Sequence, residues 1–257
     1  MRISTHYRYI FIYTLVLSIC ATNTGFSASL YSHNQCNKPA HAIRVSVQRV
    51  YDGDTVKLNS GQSVRLLGIN TAEIAYPNHR RRRRPASHLQ PLARLARKTL
   101  GQLFKQANNQ VYLVYGKQRR DRYGRLLAHL FAGDTNVQAF LLARGLAYNL
   151  PFPPNLAYQK CYFHAQKKAM KNRINLWNQQ FYAPGSAEFF TGNTRSGYIL
   201  IRGKVTKTYQ SKKSVWLNFK HQKIAVRIIN ADLPYFFKKN PLGLLGKNIL
   251  IGGDVTK

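Results

Sequence analysis

Across residues 43–67 the chain alternates apolar and polar residues in three short bursts, and that periodicity restricts the fold more than any other feature. Ile43, Val45 and Val47 recur every second residue, and the runs Thr55-Val56-Lys57-Leu58 and Val64-Arg65-Leu66-Leu67 follow. A period of two is that of a strand with one buried face. Asn59-Ser60-Gly61, between the second and third bursts, has the residue types of a hairpin turn. After Pro91 the period becomes helical, with Leu92, Leu95, Ala96, Thr99, Leu100, Leu103 and Phe104 on one face. Residues 111–115 and 126–131 read as strands, and residues 136–144 as a short helix stopped by Gly145. A last helix follows Pro151-Phe152-Pro153-Pro154 and runs to about Trp177. The pattern predicts a β-rich α+β domain, a small barrel with helices, over residues 43–180.

Residues 181–196 are rich in Gly, Ser, Thr and Asn, the composition of a linker. Beyond them, 198–205, 214–219, 224–229 and 248–252 are strand-like, with almost no helical pattern. Residues 197–257 are therefore expected to form a second, small, OB-like all-β domain.

Upstream, Arg2 and Arg8 precede an uncharged apolar run over residues 9–21, and small residues follow at Ser27-Ala28-Ser29. That is the layout of a secretory signal over residues 1–28, with 29–42 a polar leader. The run is short for a membrane span, so no stable insertion is expected after cleavage, and the product is periplasmic or secreted. Cleavage removes Cys20 and leaves Cys36 and Cys161, which form either one disulfide or two free thiols.

Charge narrows the partner. Forty Lys and Arg face eight Asp and Glu, a formal net charge of +32, so the surface suits a polyanion and not a small neutral metabolite. An apolar content of 44% excludes a disordered basic tail. Acids so scarce need individual reasons. Four of the eight, Asp52, Asp54, Glu73 and Asp121, fall in three segments: Val50-Tyr51-Asp52-Gly53-Asp54-Thr55, Arg65-Leu66-Leu67-Gly68-Ile69-Asn70-Thr71-Ala72-Glu73, and Asp121-Arg122-Tyr123-Gly124-Arg125. Hard divalent ions take mixed oxygen ligands, a forked guanidinium stabilises charge on phosphoryl oxygens, and a carboxylate can take a proton from water.

In this order and spacing, and with the closing Asn175-Leu176-Trp177, the three segments resemble the staphylococcal nuclease (thermonuclease) family over roughly residues 43–178. The resemblance implies a five-stranded OB barrel with three helices and calcium-dependent cleavage of DNA and RNA. It implies Asp54, Asn70 and Thr71 as Ca²⁺ ligands, the last through its carbonyl. Glu73 would be the general base, and Arg65 and Arg125 would grip the phosphate. Asn70 replaces an aspartate of the family's archetype and Ala72 a proline, so one ligand charge is lost and a weaker Ca²⁺ affinity is expected. Asp52 and Asp121 read as structural, and Arg122 as a local partner or a nucleic-acid contact.

Arg80, Arg81, Arg82, Arg83 and Arg84 follow in the loop that the family sets beside its cleft, and are read as a phosphate clamp. Tyr123 and, less directly, Phe152 match positions where an aromatic holds the nucleotide; core packing is the alternative for both. The C-terminal domain mixes Lys204, Lys207, Lys212, Lys213 and Arg227 with Tyr209, Trp216 and Phe219, which suits an auxiliary nucleic-acid-binding barrel. Two rivals remain: a non-catalytic nucleic-acid-binding protein that keeps the barrel, and an adhesin for anionic polymers, which needs no Asp54, Thr71 and Glu73 cluster.

Overall fold

The period-two bursts become the wall of a barrel, and the helical stripe becomes its lid. The structure, a computed structural model, describes residues 8–11, 36–72, 74, 90–179, 185–186, 197–219, 224–236 and 241–255. It divides into two units, Leu30–Gln179 and a second made of Met1–Ser29 with Gln180–Lys257. The first strand in the chain, β1 (Arg8–Phe11), belongs to the second unit.

In the first unit β2 (Ile43–Val50), β3 (Thr55–Leu58) and β4 (Ser63–Leu66) form an antiparallel meander. After the short strand β5 (Ile69–Thr71) and helix α1 (Gln90–Gln106) come β6 (Gln110–Arg120) and β7 (Leu126–Ala132). Strand β6 pairs with β2, and β7 pairs with both β6 and, in parallel, β4, which closes a five-stranded barrel. A sheet closed this way has no edge left to aggregate. Val56, Val64, Leu66, Leu113 and Leu130 fill it from the strands, and Leu100 and Phe104 enter from α1, all at or below 1% exposure. Each such side chain is worth roughly 1.5–3 kcal/mol when fully buried. Leu95, expected on the same helical face, is instead exposed.

Strand β8 (Thr135–Asn136) leads into α2 (Val137–Ala143), whose first turn is capped by the Asn136 side chain accepting from the Ala139 N–H at 2.9 Å. Gly145 ends it at φ 58°, where a Cβ would strike the Ile174 carbonyl, so glycine is required twice over. Strand β9 (Ala147–Asn149) pairs antiparallel with β5, a two-stranded ribbon that three-residue segments do not announce in sequence. The last helix, α3 (Gln159–Lys171), stops six residues before Trp177, and a separate 3-10 turn (Asn175–Asn178) buries Leu176 and Trp177. Cys36 and Cys161 are disulfide-bonded, with Cα atoms 5.5 Å apart, joining the segment before β2 to α3.

The second unit repeats the order of neighbours in the sheet, with one strand drawn from the start of the chain. Strands β11 (Gly197–Gln210), β12 (Ser214–Phe219) and β13 (Ile224–Ile229) form the meander, and β14 (Asn248–Val255) returns beside β11. Strand β1 then lies antiparallel to β14 and parallel to β13, closing a second five-stranded ring. This places four residues of the expected signal segment in the barrel wall. The described core, including Ile201, Val205, Leu217, Phe219, Val226 and Ile251, comes from β11 to β14. Strand β10 (Gly185–Ser186) pairs with β11 inside the stretch expected to be a linker, and the one-turn helix α4 (Leu233–Phe236) fits the expectation of almost no helix. No helix among the described residues is long and apolar enough to cross a membrane.

Candidate active site

The turn between β2 and β3 is tight. The Tyr51 and Asp52 N–H groups both donate to the Thr55 carbonyl, at 3.0 and 3.4 Å, and Asp52 Oδ1 accepts from the Asp54 N–H at 3.0 Å. A Cβ on Gly53 would lie 2.6 Å from Thr71 Cγ2 and 2.8 Å from Ala96 Cβ. Glycine therefore lets β5 and α1 close directly on the turn, and Asp54 beside it is only 4% exposed.

A charge so buried needs partners to offset the cost of leaving water. Asp54 Oδ1 accepts from Thr55 Oγ1 at 3.0 Å, and Oδ2 accepts from the Thr71 N–H at 3.0 Å and Thr71 Oγ1 at 3.2 Å. Arg65 Nη2 lies 3.3 Å from the same Oδ2. The strand register makes this contact possible, because Thr55 and Arg65 are cross-strand partners on β3 and β4. Arg65 also donates through Nη1 to the Leu66 and Ile69 carbonyls at 2.7 and 2.9 Å, and through Nη2 to Asn70 Oδ1 at 2.6 Å. The guanidinium thus holds the β4–β5 turn against the buried acid. To receive a phosphate it would have to trade one of these contacts.

Asn70 uses both ends of its amide. Its oxygen accepts from Arg65, while Nδ2 donates to Tyr148 Oη at 2.6 Å, across the β5–β9 ribbon where the two residues are partners. Sequence reasoning missed Tyr148, which is 78 residues away and sits in a strand too short to show a period.

The second charged group occupies the β6–β7 hairpin. Asp121 Oδ1 accepts from the Tyr123 and Arg125 N–H groups at 2.9 and 3.0 Å, and Oδ2 from Arg125 Nε at 2.7 Å. Burial pushes the Asp121 carboxyl up, but the Arg125 hydrogen bonds, the Tyr123 N–H and the Arg125 charge outweigh it and hold it below the usual carboxylate range. Arg125 is thereby fixed through Nε, and its Nη groups make no hydrogen bond to a described residue. It stands one residue before Leu126, the partner of Val64, at the start of the strand that runs parallel to the one carrying Arg65.

Tyr123 is 67% exposed, with the guanidinium carbons of Arg122 and Arg125 at 4.8 and 5.5 Å from its ring centre. Arg122 also donates to Tyr123 Oη at 2.6 Å. Phe152 is 46% exposed. Neither ring is core, which removes the packing alternative for both. Glu73 and the arginines at 80–84 lie outside the described residues.

The donors that could face a metal are all oxygens: the Asp54 carboxylate, the Asn70 amide and the Thr71 carbonyl. In kind they fit a hard divalent cation such as Ca²⁺. Among the described residues no group of three or more His, Cys, Asp or Glu side chains is assembled. Asp54 is the single carboxylate among these three donors, and Arg65 already balances it.

Comparison with known proteins agrees with this geometry. Residues 63–179 match the family described as staphylococcal nuclease homologue. The chain is 34% identical to the thermonuclease of Staphylococcus intermedius over 136 residues, 52% of this chain and 75% of that protein. It is 35% identical to the thermonuclease of Staphylococcus hyicus over 135 residues, 51% of this chain and 74% of that one. Endonuclease YncB of Bacillus subtilis is 31% identical over 144 residues, 54% of this chain and 64% of its own length. With its closed five-stranded barrel, three helices and acid–arginine cluster, the chain belongs to the staphylococcal nuclease family.

Proposed function

We propose that the chain is an exported, calcium-dependent endonuclease that hydrolyses phosphodiester bonds of DNA and RNA with little sequence preference. The observation that carries this reading is the buried Asp54 carboxylate, tied to Arg65 and Thr71 on β4 and β5, with β4 lying beside the strand that Arg125 leads. A buried ion pair is a costly way to gain stability, so its presence at a site open to phosphate speaks for chemistry.

Arg125 binds the scissile phosphate through its Nη groups and stabilises the charge that builds on the equatorial oxygens. Arg65 shares that charge when it moves from the turn carbonyls. Asp54, Asn70 and Thr71 would hold a Ca²⁺ ion, which would supply charge neutralisation at the phosphate and a more acidic water. Glu73 takes the proton from the attacking water. Tyr123 offers its exposed face to a base or sugar, and the arginines at 80–84 track the flanking backbone. Export is supported by the apolar run before residue 28 and by the Cys36–Cys161 bridge, which suits an oxidising compartment. Signal cleavage would take β1 with it and leave β13 and β14 without that partner.

The test is incubation of the full chain with single- and double-stranded DNA and RNA, in Ca²⁺ or chelator, beside Glu73→Gln. Metal-dependent shortening of substrate, lost in the variant, is expected; cleavage undiminished in chelator would sink the calcium reading. Asn70 favours a second reading, a barrel that binds nucleic acid without turnover, and intact but shifted substrate would establish it.

A further inference from the structure

The second unit carries an aromatic row that the proposed cleavage does not use. Tyr209 on β11 pairs with Trp216 on β12, and Trp216 pairs with Arg227 on β13, so the three residues stand side by side across three strands. Alternation sets this row outward, because Val215 and Leu217 on either side of Trp216 are fully buried. The row is ordered. Arg227 Nε donates to Ser214 Oγ at 2.8 Å, which holds the guanidinium carbon 5.4 Å from the Trp216 ring centre. Tyr209 is 57% exposed, a large aromatic surface kept in water. Phe219, grouped with these residues from the sequence, is 5% exposed and belongs to the core.

We propose that this row is a stacking platform for a single-stranded polynucleotide. It rests on the reading that the chain acts on nucleic acid, and it adds a second contact on a separate unit. Two rings and a guanidinium plane present π-faces and a delocalised cation, the surfaces on which unpaired bases stack; duplexes keep those base faces hidden. Charge complementarity selects the same partner. The described residues of β11 to β14 and their turns carry Arg202, Lys204, Lys207, Lys212, Lys213, Arg227 and Lys247 against Asp232 and Asp254. A sulfated polysaccharide would use the cations but has no flat ring to set on Tyr209 or Trp216.

The chain has two tryptophans, and Trp177 is buried at 7% exposure, so Trp216 can report on its own surface. Titrate the full chain in chelator with unlabelled single-stranded DNA, single-stranded RNA, a duplex and heparin, following tryptophan emission. Both single strands should quench emission; duplex and heparin should leave it nearly unchanged. Trp216→Phe should bind with the quench abolished. Tyr209→Ala should weaken the affinity read from that quench about tenfold, within the range of one lost base stack. Quenching by heparin equal to that by single strands would overturn the proposal, as would an affinity unmoved in Tyr209→Ala. The assay contains no cleavage step, so loss of turnover in the first unit cannot imitate either result.

Discussion

The two barrels set five strands side by side in the same spatial order, but the strand parallel to the third of the meander comes last along the chain in the first barrel (β7) and first in the second (β1). They differ in what joins those strands. Between β4 and β6 the first barrel inserts β5, residues 72–89 and α1, whereas between β13 and β14 the described residues of the second form only 3-10 turns (Asn230–Asp232, Pro241–Leu244) and the single turn of α4. The insertion is what presses on Gly53 and buries Asp54, the one carboxylate classed as buried among the described residues. The strand order is thus a frame that can stay the same, and the connections decide whether it holds a reactive cluster or a flat binding face.

The sharpest way to break this contrast is to remove charge from the first barrel's connections. Arg125→Ala, in the β6–β7 hairpin, should lower the cleavage rate about 10²–10³-fold, the usual loss for one group that stabilises transition-state charge. Steady-state turnover of a short oligonucleotide measures it, and near-normal rates would return the hairpin to a structural role.

Next in size is the covalent link. Replacing both Cys36 and Cys161 by serine should cost the first barrel about 2–4 kcal/mol in denaturant unfolding. The second unit's transition should not move; an equal loss in both would show that the units unfold together.

Acid should also separate them. His129 on β7 is fully buried, with Nδ1 2.7 Å from Tyr162 Oη, and burial lowers its pKa to about 3. The unfolded chain then binds a proton between pH 6.5 and 3 that the native barrel refuses. This contribution is complete above 6.5 and is lost on acidification, at up to about 1.4 kcal/mol per pH unit. Asp121, held low, acts in the same direction below the ordinary carboxylate range. In the second unit burial raises the Asp232 carboxyl, so its contribution is present at low pH and fades as pH rises through the raised value. Urea titrations of each unit's transition from pH 7 to 4 would show opposite trends; parallel slopes would contradict the assignment.

The smallest effect concerns the ligand set. Asn70→Asp adds a second carboxylate beside Asp54 and should tighten Ca²⁺ binding about three- to tenfold, near 1 kcal/mol, by calorimetry. Unchanged affinity would place the metal away from β5.

Much of the frame was legible because its strands and α1 have strong periods. The ribbon of β5 and β9 was not, since Ile69-Asn70-Thr71 and Ala147-Tyr148-Asn149 are each too short to show one. The participation of Arg8–Phe11 was hidden for another reason: an unbroken apolar run carries no alternation to read, and its parallel partner lies more than two hundred residues on. In the site, the scarcity of acids singled out Asp54 and Asp121 before any geometry. What spacing could not reveal was competition for donors, with Arg65 committed to two carbonyls and Asn70 while the Arg125 Nη groups make no hydrogen bond to a described residue. Exposure of Tyr123 and Phe152 was equally out of reach, because a ring on a loop has no periodicity to say which way it faces.

Cys36 and Cys161 stand 125 residues apart, and every connection that builds the active site lies inside the loop they close. The arginine-rich stretch at 80–84 is an obvious target for a trypsin-like protease and falls within that loop. A cut there would sever the backbone without releasing either piece: the halves stay tethered, and the nick becomes visible as two bands only after reduction. Clipped in its most basic segment, the chain would still keep both halves of its first barrel together.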